Sequence, residues 1–592
     1  MATFLAFLTM PASSHPQSPT TLVSMGAKIS NPTSGGPVLF FSDLTSGPNS
    51  SNSTGSSMKD GAIVTVWGAH LGSEENGQVS CGGVPARKVY FWGPARLDHY
   101  DKIVFQVSHL GRSGPGEITV TANGRSSNSL PFTVRAGKIY FVATSGRDFN
   151  GGSFASPWRT LIKARNSMQA GDITYVMDGV SQTSDDGEGW NAAFTLRPQW
   201  CGKSEFPRAM VAYPGATVRI GDNGGRPFSG IRTTDFSGGG GCEGNWVFAG
   251  LTFRGTSAVS LNGPSSNWRF VGNDISCPNA VGAQGGACFQ TMLASNVKFY
   301  GNVVHDAGAA NASALFHGVY FSTDSNHIDM GWNTVAHIHG CRGVQVHSSP
   351  LGSNYPNSGY DMFDLSIHDN LIHDTQCDGI ILDTIDPSKG QISIHNNVIY
   401  TAGTGPNNPE HTGGWSCINV RGTTEKGKPG TGTVEIYNNT LYACGTFDAP
   451  PYTGANAGIF AGGDTGLSIL LRDNLIYQVG TSLYPAGVPY VVIWDPIRHS
   501  LCAIRDNCAR VRGSHNLFFG SGLMQTNPAN IKDSINRDPA FRDLSHYDFH
   551  LSDASPAAHA GITTPEAADH DGLAVEPNSG YPIGAYAQGI HE

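Results

Sequence analysis

Charged residues are scarce in this chain: Asp, Glu, Lys and Arg together make up 14% of its 592 residues. Set against 76 glycines, that scarcity excludes a helix-rich protein laced with salt bridges and points to short strands joined by turns. Basic residues are the rarer sign, 36 against 46 acidic ones, for a formal net charge of −10 and a pI near 6.1. No Lys/Arg cluster is present to release counterions from phosphates, so nucleic acid is excluded as a partner. Also missing is any apolar run approaching the ~20 residues of a membrane span. Cysteine comes to eleven, an odd number, so at least one thiol stays unpaired in a single chain. Cys502 and Cys508 are spaced to close a short loop in an oxidising compartment, while most of the others read as buried small hydrophobes.

The N-terminal ATFLAFLTM, followed by PASSHPQS, offers an apolar stretch and a small-residue cleavage region near Ala12, but no positive charge precedes Lys28. It reads as a weak or truncated export signal, and a secreted, extracellular or periplasmic location is expected. Residues 1–35 are assigned to signal and linker, and the Ser/Pro/Gly/Asn-dense composition of TSGPNSSNSTGSS runs on to residue 60. From Ala62 short alternating segments predict a small β-sandwich, assigned to residues 36–136. The order GAIVTVWGAHLG, VSCGGVPARKVYF, KIVFQV, GEITVTANG and SNSLPFTV resembles the IPT/TIG immunoglobulin-like domains. Such modules serve as spacers or binding appendages, so this resemblance implies no chemistry.

Residues 137–592 are assigned to a right-handed parallel β-helix, an all-β solenoid. KIYFVATSGRDFNGGSFASPWRTLIKARNSMQAGDITYVMDGV reads as strand, glycine-rich turn, amphipathic helix from Trp158 to about Met168, then strand. It resembles the opening of exported β-helix proteins of the pectate-lyase-like superfamily, including family 9 polysaccharide lyases, in which the short helix caps the first open turn. DPAFRDLSHYDFHLSDASPAAHAG and IGAYA resemble their closing segment. The repeat is legible without that likeness. NWRFVGNDI, NVKFYGNVV, NHIDMGWNTV, LSIHDNLI, QISIHNNVI, VEIYNNTL, SILLRDNLI and RGSHNLF each place an asparagine between two apolar strands: Asn273, Asn302, Asn333, Asn370, Asn397, Asn439, Asn474 and Asn516. An asparagine tolerates a left-handed bend, and stacked side-chain amides bond from turn to turn. Repeat spacings of 27 to 42 residues leave loops of unequal length to wall a site.

A second alignment locates the candidate chemistry. HGVYFST, RGVQVHS, DGIILDT, SCINVRG and AGIFAGG stack so that Val319, Val344, Ile380, Ile418 and Ile459 face inward, with Phe321, Val346, Leu382, Val420 and Ala461 two positions on. Two outward columns follow: Tyr320, Gln345, Ile381, Asn419 and Phe460, then Ser322, His347, Asp383, Arg421 and Gly462. Acid, base and hydrogen-bonding groups spaced about 4.8 Å apart suit a linear polymer lying along the solenoid. A polysaccharide is the expected partner, in a groove of roughly 35 to 40 Å, and the chain is expected to be a monomer.

For β-elimination from a uronic acid, His347 or Tyr320 is the candidate base, and Arg421, Arg342 and Gln345 neutralise the carboxylate. For hydrolysis, Asp383 with Asp378 or Asp386 supplies two carboxylates. A single carboxylate in the aligned row, beside His and Arg, favours elimination, with hydrolysis as the alternative. In a third reading no bond is cleaved, and Tyr320, Trp415 and Phe460 stack on sugar rings. His317, Arg342 and Asp378 precede the strands by one column, where the bend decides which way they face; His317 is as readily a hydrogen-bonded bend residue as a catalytic one. Cys341 and Cys377, one column earlier, are expected as stacked buried thiols.

His305 and His373 share a column with Tyr400, Tyr442 and Tyr477 and read as structural stacking. His337 and His339 have metal-compatible spacing without a third ligand fixed by sequence, which argues against zinc. The acid run Asp361, Asp364, Asp369, Asp374, Asp378, Asp383 and Asp386 can supply calcium oxygens but lacks EF-hand spacing. No cofactor is required by the row, and calcium stays open. Family 9 lyases use a lysine base with a calcium site. Between 250 and 520 the only lysines are Lys298, Lys389, Lys426 and Lys428, and Lys389 is the nearest to the row.

Overall fold

The computed structural model describes residues 36–50, 60–95, 100–224, 228–233, 242–282, 285–349, 362–406, 415–422, 431–447, 456–463, 466–480, 488–495, 498, 500–502, 508–523, 530–566, 568–575 and 580–587. The expected export signal lies outside these residues. Among them, no helix is long and apolar enough to cross a membrane.

From Ile139 onward the chain winds as a parallel β-helix, and each full turn contributes three strands. One turn is Val344–His347, Leu365–His368 and Leu371–Thr375; the next is Ile380–Asp383, Ile392–His395 and Val398–Ala402. Corresponding strands pair in parallel from turn to turn, for example Val344 with Ile380 and Ile380 with Ile418. The solenoid therefore has three faces, and the inward columns read from sequence are those that stack: Val319, Val344, Ile380, Ile418 and Ile459 are fully buried. Each such side chain stabilises by ~1.5–3 kcal/mol on burial, and Ile380→Ala would open a void in the middle of the stack costing ~2–5 kcal/mol.

The eight asparagines form the ladder. The Nδ2 of each donates to the Oδ1 of the next, from Asn273 to Asn302 (2.9 Å) through to Asn474 to Asn516 (3.0 Å), and all are buried. The left-handed residue is not the asparagine, as the sequence suggests, but the residue before it: Gly272, Gly301, Trp332, Asp369, Asn396, Asn438, Asp473 and His515 have φ between 51° and 62°. The bend is made one position early, which turns the asparagine amide inward to meet its neighbours.

The predicted helix is Leu161–Ser167, capped by the Thr160 hydroxyl, which accepts the Lys163 N–H at 3.1 Å. The last parallel rung strand is Asn530–Lys532; the segment after it is not another turn. Phe541–Asp543 and Asp548–Leu551 form an antiparallel pair that folds back on the outer surface, packing Phe549 against Tyr400 and Tyr442.

The N-terminal sandwich has a four-stranded sheet facing a second sheet built on Leu130–Val134, Gly114–Ala122 and Gly77–Cys81. It begins inside the stretch of linker-like composition: Val38–Ser42 is a fully buried strand, because its VLFF run sits at the junction with the solenoid. Phe40 stacks on Trp332 and Phe41 packs tilted against it (5.7 and 5.2 Å between centroids), Tyr175 Oη donates to the Ile63 carbonyl at 2.8 Å, and Arg269 Nε donates to the Asp43 carbonyl at 2.9 Å. Sandwich and solenoid share one apolar core across the second face.

Five disulfides tie the solenoid together: Cys201–Cys242, Cys277–Cys288, Cys341–Cys377, Cys417–Cys444 and Cys502–Cys508. The expected stacked thiols of Cys341 and Cys377 are thus a bonded pair, since stacking one rung apart brings their Cα atoms to 4.7 Å, within disulfide range. Cys81 of the sandwich is the odd one, buried and unbonded.

Candidate functional site on the first face

The first strands of successive turns hold the predicted row. Tyr320 pairs with Gln345, Gln345 with Ile381, and Ile381 with Asn419; Ser322 pairs with His347, and Asp383 with Arg421. Because Val344 and Val346 fill the interior with no exposure, Gln345 and His347 point out of it. There they meet a cleft of about 550 Å³ lined by His317, Tyr320, Ser322, Arg342, Gln345, His347, Asp383 and Arg421 among others. The cleft follows five rungs, so about 19 Å at the ~4.8 Å rung spacing, shorter than the expected groove.

Tyr320 Oη lies 3.2 Å from His347 Nδ1, and Ser349 Oγ lies 3.4 Å from the same nitrogen, so this edge of the ring is held and Nε2 is the other one. Burial, with Asp383 nearby, raises the Tyr320 phenol above its ordinary value despite hydrogen bonds to Ser322 and Gln345, and it stays protonated at neutral pH. Burial lowers His317 well below its ordinary value, and the charges of Arg342 and His347 add to this, leaving a neutral imidazole at the back of the cleft. Its ring is edge-on to Tyr320 at 5.6 Å, and its Nδ1 faces the Arg342 N–H at 3.5 Å.

Two guanidinium groups reach the cleft. Arg342 donates to Gln345 Oε1 at 2.6 Å and to Asp378 Oδ2 at 3.4 Å. Arg421 lies 3.7 Å from Asp383 Oδ2, a looser pairing, and burial lowers its pKa against the pull of Asp383. Asp383 is further held by the Thr384 N–H at 2.8 Å.

Six predicted residues fall outside the cleft. Asp378 is fully buried, accepting from Ser416 Oγ (2.6 Å), Asn419 Nδ2 (3.3 Å) and Arg342; burial raises its pKa, and these partners oppose the rise. Asn419, also fully buried, is therefore a partner of Asp378 rather than of a ligand. Trp415 is buried against Phe447 at 5.2 Å, and Phe460 is buried too, so neither offers a ring to a sugar. The bend before each strand breaks the alternation, turning Asp378 beneath the face while His317 and Arg342 reach the cleft. Asp386 and Lys389 sit together on a loop, 3.9 Å apart, away from the cleft lining.

The sequence alignment missed Gln290 and Met292, which pair with Tyr320 and Ser322 one rung earlier and line the cleft. Gln290 Nε2 donates to Ser260 Oγ at 2.9 Å, and Asn262 Nδ2 donates to the same oxygen at 2.9 Å, so the polar row continues another rung. ACFQTM pairs with HGVYFS, but Gln290 lies 12 residues before Asn302 and Tyr320 13 before Asn333, so counting back from the asparagines misses by one, and one uninterrupted strand, Gly286–Tyr300, spans two faces and hides the boundary.

The acid run is dispersed over all three faces. Asp364 is near His327 (3.6 Å), Asp369 bonds His368 (2.7 Å), Asp374 bonds His373 (2.8 Å), and Asp378 and Asp383 serve the arginines; Asp361 lies outside the described residues. The described members form no oxygen cage of the kind calcium takes. The expected stacking on the third face is present: His373 and Tyr400 are parallel at 4.7 Å.

No protein-family model matches the chain, and no curated protein does. Among solved structures it is similar to the pectate lyase Pel9A at 13% identity, with a TM-score of 0.41 over 77% of this chain and 97% of that one. A rhamnogalacturonan lyase is similar at 15% identity and TM-score 0.38, again over 77% and 97%. A glycoside hydrolase is similar at 11% identity and TM-score 0.38, over 68% of this chain and 95% of that one.

Proposed function

We propose that the chain is an exported polysaccharide lyase that cleaves an extended, uronate-containing glycan by β-elimination in the first-face cleft. The observation that carries this is the charge arrangement: Arg342 and Arg421 reach the cleft, while Asp383 is its single carboxylate among the described lining residues. Hydrolysis uses two carboxyl groups roughly 5 to 9.5 Å apart across the bond. Asp378, a candidate for the second carboxylate, is fully buried and engaged by three side chains.

In this scheme the substrate carboxylate competes with Asp383 for Arg421, and Arg342 adds a second positive charge, which together stabilise the charge developing at C5. His347 removes the C5 proton, the electron pair forms the C4–C5 double bond, and the C4–O4 bond breaks. Tyr320, protonated at neutral pH, donates its proton to the departing O4. His317 is a neutral wall that adds no positive charge to compete with the arginines for the carboxylate.

Five disulfides in the solenoid fit an oxidising, extracytoplasmic compartment. The sandwich, with the strand order that resembles IPT/TIG domains, braces the second face. Incubation with a panel of polyuronates distinguishes the chemistries: elimination generates an ultraviolet-absorbing unsaturated uronate with each new reducing end, hydrolysis generates reducing ends alone, and a binding protein generates neither.

A further inference from the structure

On the third face of the solenoid, each turn carries a bulge that places two consecutive side chains outward. The second of each pair is left-handed, at Asp306 (φ 48°), His337 (φ 54°), Asp374 (φ 53°) and Thr401 (φ 49°), and the ladder skips a residue there. Stacked one rung apart, His337 falls between Asp306 below and Asp374 above. Its Nε2 is 3.6 Å from Asp374 Oδ2, and its Nδ1 is 3.9 Å from Asp306 Oδ1. His373 brings Nδ1 to 2.8 Å from the same Asp374 Oδ2, and ligand atoms of His337, His373 and Asp374 all lie within 4.8 Å of one another. The sequence pairs His337 with His339; the fold pairs it instead with two residues from the next turn.

We propose that His337, His373 and Asp374 bind a divalent transition ion of the zinc class, with water completing the coordination. Ligand bonds of ~2.0–2.1 Å set tetrahedral ligand atoms about 3.3 Å apart. The His337–Asp374 contact is already near that spacing, and the His373–Asp374 contact opens by roughly half an ångström. Two imidazole nitrogens select zinc, nickel, cobalt or copper over calcium and magnesium, which take oxygen.

The surroundings have the form of an outer shell. Thr401 Oγ1 donates to Asp374 Oδ1 at 2.7 Å, which leaves Oδ2 for the ion. Parallel stacking on Tyr400 fixes the His373 ring plane, and Asp306 faces the far nitrogen of His337, the carboxylate–imidazole–metal arrangement that orients a ligand histidine. Ala336, small in the column where the neighbouring turns carry His305 and His373, leaves room above the strand for the ion. This site stands on a different face from the cleft and does not depend on the reaction proposed there.

The test is zinc titration of the chelator-stripped full chain, followed by calorimetry and by competition with a chromogenic chelator, with cobalt as a spectroscopic probe. The expected result is one equivalent of zinc that is lost in the His337→Ala/His373→Ala double variant and in Asp374→Asn. Asp306→Asn should weaken it by about 10- to 100-fold, as outer-shell changes do. Cobalt should give the visible absorption of a low-symmetry, nitrogen-containing site that the same variants abolish. Equal zinc stoichiometry and affinity in the parent and in both ligand variants would overturn the proposal, as would no binding by the parent. Circular dichroism identifies any variant that has lost the fold, and Asp374→Asn, nearly isosteric on a half-exposed position, keeps the test decisive if the double variant fails.

Discussion

Two polar rows run along this solenoid one rung at a time, and they differ in what their groups are bonded to. In the asparagine ladder every amide is buried and each interior one bonds its own kind above and below; Asn370 Nδ2, for example, reaches Asn397 Oδ1 (2.9 Å), and Asn370 Oδ1 accepts from Asn333 Nδ2 (2.9 Å). In the first-face row the groups differ from rung to rung and line a cleft, as His347 does beside Tyr320. Periodic polarity in a sequence therefore reports stacking. What separates scaffold from site is whether the row is sealed in the interior or opens on a cleft.

That contrast is broken most sharply from the cleft side. His347→Ala should lower the elimination rate by roughly 10²- to 10⁴-fold with an unchanged unfolding midpoint, because the side chain is partly exposed and outside the core. Steady-state kinetics and thermal unfolding on one preparation check both halves. The reverse pattern is expected for Asn370→Ala: it removes the acceptor of the Asn333 backbone N–H and Nδ2 and a donor to Asn397 Oδ1 and the Met330 carbonyl, all in the buried core. Denaturant unfolding should show a loss of about 2–4 kcal/mol, with kcat of the folded fraction retained.

The second face offers an intermediate case. His368 is buried between Asp329 (2.8 Å) and Asp369 (2.7 Å); burial alone would lower its pKa, but the two carboxylates outweigh it and raise it to about 10. The folded value exceeds the unfolded one, so this stabilisation is complete below the unfolded value near 6.5 and is lost as pH rises toward 10. Asp329, held below its ordinary value of 3.8, sets the acid side: its contribution is lost as pH falls through the folded pKa. Stability should decline by at most ~1.4 kcal/mol per pH unit above neutrality, and His368→Gln should flatten that slope in unfolding measured from pH 6 to 9. The smallest effect belongs to Asp383→Asn, expected to cost less than about tenfold in rate because the carboxylate restrains Arg421 and takes no proton; a loss matching that of His347→Ala would instead point to hydrolysis.

The fold was legible because one residue type recurred where the chain must bend, and because inward Val, Ile and Leu at every second position locked the register. The row of Tyr320, Ser322, Gln345, His347, Asp383 and Arg421 followed from that register. The side chains just before the strands were not legible, since alternation breaks at a bend: Asp378 and Trp415 turned inward, while Arg342 and His317 reached the cleft. Nor could spacing show that Val38–Ser42 docks on Trp332, or that Cys341 and Cys377 bond, as both depend on contacts across rungs or domains.

The most direct test of the cleft's assigned chemistry is the ultraviolet absorbance of unsaturated uronate measured alongside reducing ends, with polyuronates as substrate and parent protein compared with His347→Ala. Elimination predicts that the two signals rise together in the parent and that both collapse in the variant. Reducing ends without the absorbance, or undiminished absorbance in His347→Ala, would contradict it.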